Sequence, residues 1–394
     1  MGCNSSLPQD GADLTPFQLL EEDGNETEHI VVMVNGKSGG NKAKAILDLN
    51  LESYRLNERT WVWIYNLFDV EGRKTAMEQL KQFQDNSKTS PRVVACGGDG
   101  TVKWVISLLE ANDCLKVPVG VIPFGTGNDF SRVCGWGGFT PKPLIGKHMC
   151  AFNRTVKNLS LSETHMFDVW KIEILLKNNG KFLTVKDKKE VLCEKETNEK
   201  VMVHEMINYF SIGADASIVF EFEKNRKNTQ LKNKVEYAKQ GTKQLVSAPA
   251  KLQKYIGKIQ SNETEIDAKL GRKFLVWQNI GSYGGGMDIW AIKKPKNNGL
   301  MPQDFGDHKL ELMSVMGTQY VPLSKGTGGA GIGKVAQVDN YSVSFKDDWE
   351  NPVYFQVDGE GIKAYGVREV SISHRYEVKV LVKDGNNIKV SKSL

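Results

Sequence analysis

Three glycine-rich segments in the first third of the chain have the residue types for phosphate chemistry: Asn35-Gly36-Lys37-Ser38-Gly39-Gly40, Gly97-Gly98-Asp99-Gly100-Thr101 and Phe124-Gly125-Thr126-Gly127-Asn128-Asp129. Glycine lets backbone N–H groups approach phosphate oxygens closely and permits positive φ. A helix expected to start near Thr101, with Thr101 as a possible cap, would add its positive end to the same anion site. Together these segments read as a polyphosphate cradle. The Walker pattern GxxxxGK[ST] is absent, so the chain is not a P-loop ATPase. Asp99 and Asp129 lie inside the turns, where carboxylates repel phosphate unless a cation intervenes, so Mg2+ is expected. Far downstream, Val357-Asp358-Gly359-Glu360 sets two acids around a glycine. Its ordinary reading is a hairpin turn. The alternative is that Asp358 and Glu360 face the nucleotide turns across a cleft between domains.

The elements around these residues fit that chemistry. Residues 30–34, 61–65, 92–96 and 117–122 are short apolar runs, as in strands buried on both faces. Each glycine-rich segment follows one of them. Helical patterns are expected over 42–49 and 73–83. After Thr101, Val102, Val105, Ile106 and Leu109 recur at helical spacing and define one buried face. Alternating strands and helices predict a Rossmann-like parallel α/β domain over residues 29–155, whose ligands bind beyond the carboxyl ends of the strands. After about residue 155 the alternation stops. Strand-like runs at 166–176, 201–212, 273–280, 309–316, 341–345, 353–357 and 367–382 predict a β-rich sandwich domain over 156–394. Residues 223–273 interrupt it with thirteen Lys/Arg against five acids, helix-compatible around 234–258. That insert reads either as a solvated helical excursion or as a basic surface for anionic lipid headgroups. Gly326-Thr327-Gly328-Gly329-Ala330-Gly331 matches the dinucleotide fingerprint, but no strong strand precedes it and a flexible loop is expected.

Composition narrows the class. The 394 residues, 40% hydrophobic and 25% charged, are ordinary for a globular protein of two or three domains. A net charge of +5 is too mild to imply nucleic acid. The first 29 residues contribute seven acids and no Lys or Arg, which leaves the rest at +12. Six cysteines without a CxxC pair suggest neither a zinc module nor a disulfide framework, so a reduced intracellular protein is expected. No apolar run is long enough to span a membrane, and no signal peptide is seen. Met1-Gly2-Cys3-Asn4-Ser5-Ser6 fits the N-myristoylation pattern at Gly2, with Cys3 as the neighbouring site for a second acyl chain. One chain alone binds membranes marginally. The expectation is an acidic acylated tail, residues 1–28, holding a peripheral protein at the cytoplasmic side of a membrane.

The three glycine segments, read on through Val102-Lys103-Trp104-Val105 in the second, resemble the diacylglycerol kinases. These belong to a lipid-kinase group that includes sphingosine and ceramide kinases. Asn208-Tyr209-Phe210-Ser211-Ile212-Gly213-Ala214-Asp215-Ala216-Ser217 looks like the accessory-domain signature of the eukaryotic type, and residues 279–290 and 357–360 also fit. The likeness covers roughly residues 29–380. It implies Mg2+-dependent transfer of the γ-phosphate of ATP to the hydroxyl of diacylglycerol, making phosphatidic acid. Asn35, Lys37, Ser38, Gly39, the loop from Gly97 to Val102 and Thr126 would contact ATP. Asp358 and Glu360 fall on the acidic motif with base and metal roles, and Asp99 would assist. Asp304 and Asp307 match in part an acidic pair near a structural metal site. Gly36 stands where relatives commonly carry proline. The zinc modules and calcium loops of many relatives are missing, so membrane delivery falls to the tail. Competing readings are a sphingoid-base or ceramide kinase, an NAD kinase, or an inactive membrane-tethered ATP-binding scaffold.

Overall fold

The computed structural model describes residues 26–140, 144–145, 149–193, 200–225, 250–292, 299–327 and 329–383. Gly2, Cys3 and the acidic tail up to residue 25 lie outside them. The chain divides into two units: one runs up to Met166 and resumes at Val378, and the other spans Phe167–Glu377. The sequence places the division near residue 155, but helix Cys150–Ser160 packs Phe152, Val156 and Leu159 into the core of the first unit. The return of the chain at Val378 had no signal in the sequence.

In the first unit, strand Thr27–Val34 pairs in parallel with Thr60–Asn66 on one side and Thr89–Gly97 on the other. Thr89–Gly97 pairs in turn with Val119–Pro123, and Val380 pairs in parallel with Val119. Residues of both parities in these strands are buried: Ile30, Val31, Val32, Met33 and Val34 are all inaccessible. That is the sequence signature of a parallel sheet covered on both faces. Helix Val70–Asp85 buries Ala76, Met77, Leu80 and Phe83, and helix Asp99–Ala111 buries the expected face of Val102, Val105, Ile106 and Leu109. The helix expected over 42–49 shrinks to Lys44–Leu47. Asn41 and Asn50 bracket it with φ of +70° and +50°, a left-handed conformation that a helix cannot continue through.

The second unit is antiparallel. Tyr209–Gly213 lies between Phe274–Gln278 and Val353–Val357. Phe274–Gln278 continues to Leu310–Val315 and then Ile332–Val338, while Glu360–Val382 joins Val353–Val357 to Asn340–Phe345. The core is aromatic: Phe210 packs at 5.5 Å from Trp277 and 6.0 Å from Phe355, and Trp277 meets Tyr341 edge-on. Truncating such a ring to alanine costs about 3–5 kcal/mol.

Two sequence expectations need correction here. Of the insert at 223–273, residues 226–249 lie outside the described set, but 256–261 form a strand rather than a helix. The 326–331 segment is not wholly a loop, because helix Tyr320–Thr327 runs into it and strand Ile332–Val338 follows. A dinucleotide turn needs the reverse order, strand then helix, so that reading is excluded on connectivity.

Candidate functional site

The three glycine turns touch one another at the carboxyl ends of the parallel strands. A Cβ added to Gly98 would lie 2.9 Å from Gly125 Cα, and one on Gly125 would lie 2.6 Å from Gly98 Cα. A Cβ on Gly39, whose φ is +64°, would meet the Phe124 carbonyl oxygen at 2.9 Å. Real side chains never come so close, so the three turns fit only as glycine backbone. Asn35 ties the first turn to the second: its Nδ2 donates to Thr101 Oγ1 at 2.9 Å, and its Oδ1 accepts the Lys37 amide at 3.1 Å.

Helix Asp99–Ala111 begins two residues earlier than expected, with Gly98 at its cap position and no side-chain cap. Thr101 therefore sits in the first turn and receives Asn35 instead of capping. Asp99 takes over a capping task elsewhere. Its Oδ1 accepts the Phe130 amide at 2.9 Å and its Oδ2 the Asp129 amide at 3.2 Å, at the start of helix Asp129–Val133. Backbone amides thus offset part of a charge that the sequence assigned to a cation alone.

Asn128 adopts φ +52° and donates through Nδ2 to the Gly125 and Gly138 carbonyls, both at 2.9 Å. Among the described residues its buried Oδ1 has no hydrogen-bond partner. A Cβ on Gly127 would lie 3.2 Å from Asp129 Oδ2 and 3.5 Å from Asp99 Oδ2, so both carboxylates border this glycine. The two carboxylates offer the hard oxygens that hydrated Mg2+ takes.

Sequence reasoning missed the flank of this cradle. Lys37 Nζ lies 4.4 Å from the centre of the Phe68 ring, Phe68 packs edge-on against Trp104 at 5.5 Å, and Arg73 covers Trp104 at 5.4 Å. Arg132 Nε donates to the Gly127 carbonyl at 3.0 Å and holds the third turn. Phe68 follows a strand at its carboxyl end, the one signal that could have found it.

In the second unit, Asp358 and Gly359 form the two-residue turn between Val353–Val357 and Glu360–Val382, with φ of +51° and +86°. The hairpin reading is therefore correct. The Asp358 carboxylate does more than turn the chain. Oδ1 accepts the amides of Asn208 at 2.8 Å and Tyr209 at 3.2 Å, and Oδ2 accepts that of Ile207 at 3.1 Å. The two accessory-domain motifs are thus one structure: the acid of one sits in the amide nest of the other. Glu360, two residues on, is exposed. Within the same signature, Ser211 Oγ and Tyr283 Oη both donate to the buried Asp215 Oδ2, at 2.9 and 2.5 Å.

Asp304 and Asp307 share one turn, each accepting a backbone amide two residues on. Burial, with Asp304 as a neighbouring charge, pushes the Asp307 carboxyl up to about 6. Among the described residues, Asp304, Asp307 and Glu360 do not form a set of mutually close donor atoms; Asp168, His308 and His374 do.

Comparison with known proteins agrees with this geometry. Residues 29–162 match the diacylglycerol kinase catalytic domain and residues 205–361 the diacylglycerol kinase accessory domain. The chain belongs to the diacylglycerol kinase family. It is 31% identical over 292 residues to the eye-specific diacylglycerol kinase of Drosophila melanogaster, covering 69% of this chain and 18% of that protein. It is 29% identical over 360 residues to diacylglycerol kinase iota of Homo sapiens (88% and 30%), and 25% identical over 307 residues to diacylglycerol kinase 1 of Arabidopsis thaliana (75% and 38%). The chain therefore spans only about a fifth to two fifths of the length of these relatives.

Proposed function

We propose that this chain transfers the γ-phosphoryl group of ATP to the hydroxyl of diacylglycerol at a membrane surface, giving phosphatidic acid. The observation that carries this reading is the mutual contact of the Gly39, Gly98 and Gly125 turns, a floor free of side chains beside two carboxylates. Phosphoryl transfer asks mainly for alignment and neutralised charge. Asn35, Gly36, Lys37, Ser38, Gly39, the loop from Gly97 to Val102 and the turn of Gly125, Thr126 and Gly127 would bind the triphosphate. Asp99 and Asp129 would hold Mg2+, which when bound neutralises charge on the transferring group.

On the accessory unit, three amide donors on Asp358 support it as the group that fixes the turn. Of the two acids, the exposed Glu360 then accepts the proton of the lipid hydroxyl. We read the first unit as Rossmann-like and the second as a sandwich. Acylation at Gly2 and Cys3, with the basic residues of 223–273, would bring the protein to an anionic membrane on its cytoplasmic side. Among the described residues no helix is long and apolar enough to cross one.

The test is incubation of the purified chain with labelled ATP, Mg2+ and mixed micelles of diacylglycerol, sphingosine or ceramide. Label in phosphatidic acid is expected. Label only on sphingosine or ceramide replaces the substrate class, and ATP binding without label on any lipid makes the chain an inactive ATP-binding protein.

A further inference from the structure

Away from the acidic turn and the glycine cradle, three distant stretches of the accessory unit bring nitrogen and oxygen donors together. Asp168 comes from strand Glu163–Lys186, His308 from the turn before Leu310–Val315, and His374 with Glu377 from Glu360–Val382. His374 Nε2 lies 3.0 Å from Asp168 Oδ1. His308 Nε2 lies 3.5 Å from the same oxygen and 2.7 Å from Glu377 Oε1. One donor atom each from Asp168, His308 and His374 falls within 4.8 Å of the others.

We propose that these residues form a site for a divalent first-row transition metal of the Zn2+ class, with two imidazoles and one or two carboxylates as ligands. Ligands about 2.0–2.1 Å from a tetrahedral ion stand roughly 3.3 Å apart. The separations of 3.0 and 3.5 Å reach that spacing through shifts of about 0.2–0.3 Å, and that of 2.7 Å through about 0.6 Å. Imidazole nitrogen selects such an ion over Mg2+, which favours oxygen and water. The donors are oriented from behind, as metal ligands usually are. Asp168, its side chain fully buried, accepts the His308 amide on Oδ2 at 2.8 Å, and the edge of Trp170 packs on the His374 ring. Asn279 Nδ2 donates to the Asp168 carbonyl at 2.9 Å. His308 and Glu377 side chains are 52% and 32% exposed, which gives an ion a way in. His308 also holds φ +58°, in the left-handed region that glycine enters most freely.

The test is titration of the chelator-stripped full chain with Co2+, read by its visible ligand-field bands and by competition with Zn2+. One equivalent with nitrogen and oxygen ligation, displaced by Zn2+ but not by excess Mg2+, is expected. Saturating Zn2+ should raise the melting temperature by roughly 5 °C. His308→Gly relieves the backbone while removing a ligand, so it should fold and lose at least roughly 100-fold in affinity. Glu377→Gln, on an accessible side chain, gives a second variant whose folding is not at risk, with a smaller loss. No stoichiometric uptake overturns the proposal. So does uptake that His308→Gly leaves unchanged, or a thiolate charge-transfer band, which would place the ion on cysteine.

Discussion

The glycine cradle and the Asp358 turn hold charge in opposite ways. The cradle works by leaving side chains out: Gly98 and Gly125 pack backbone on backbone, and any Cβ enters space already filled. The Asp358 turn works by putting one side chain in, a carboxylate seated on three amides from a strand end about 150 residues away. A site built from omissions fails when anything is added. A site built on one anchor fails when the anchor is removed, and its neighbours then fail with it.

The most severe break should come from Gly98→Ala or Gly125→Ala. Either forces the second and third turns apart, and activity should fall roughly 100-fold or more through loss of alignment, read as kcat and the KM for ATP. Next come the two acids. Glu360→Gln should abolish most lipid phosphorylation at unchanged ATP affinity and melting temperature. Asp358→Asn sets an NH2 group against amide donors and should also lower stability by about 2–3 kcal/mol, measured by urea unfolding. Equal stability of the two variants would refute the anchor role.

A third contrast lies along one strand. Asn35 follows the carboxyl end of Thr27–Val34, whereas His29 sits near its start, stacked on Phe83 at 3.9 Å. Trp63 Nε1 donates to His29 Nδ1, so the ring is held neutral, and burial lowers its pKa to about 4. The unfolded chain, titrating near 6.5, binds more protons between those values. Stability should therefore rise with pH across 4 to 6.5, by about 3 kcal/mol from this group, and His29→Gln should flatten the slope without altering ATP affinity. The smallest effect is Gly100→Ala. A Cβ there meets nothing within 4 Å, and the position is the second residue of a helix. A gain in stability of about 0.4–1 kcal/mol is expected, in contrast to Gly98 two residues before it.

These contrasts follow what the sequence could and could not reveal. The glycine turns were legible because glycine after a buried strand has few other uses. Asp358 was legible as a turn, but its amide partners at 207–209 carry no side-chain signature and could not be read. Residues 256–261 misled for a definite reason. Ile256 and Ile259 are both buried at a spacing of three, which looks helical. The spacing arises from a register shift between them in the pairing with Asn340–Phe345. A bulge moves the second isoleucine to the core side. His308, His374 and Asp168 have no shared spacing at all, since two separate strands and a turn deliver them.

The route of the backbone has a practical consequence. Trp136 Nε1 donates to the Leu381 carbonyl at 2.7 Å, and the Lys383 amide to that of Cys134 at 2.9 Å. Leu381 also fills the core beside Phe152 and Leu159. The first unit cut away after residue 166 would lose this returning strand and expose a raw edge, so subcloning it as a free-standing fragment should yield insoluble material. Truncation near 377 would do the same damage, leaving every glycine turn intact and none of them usable.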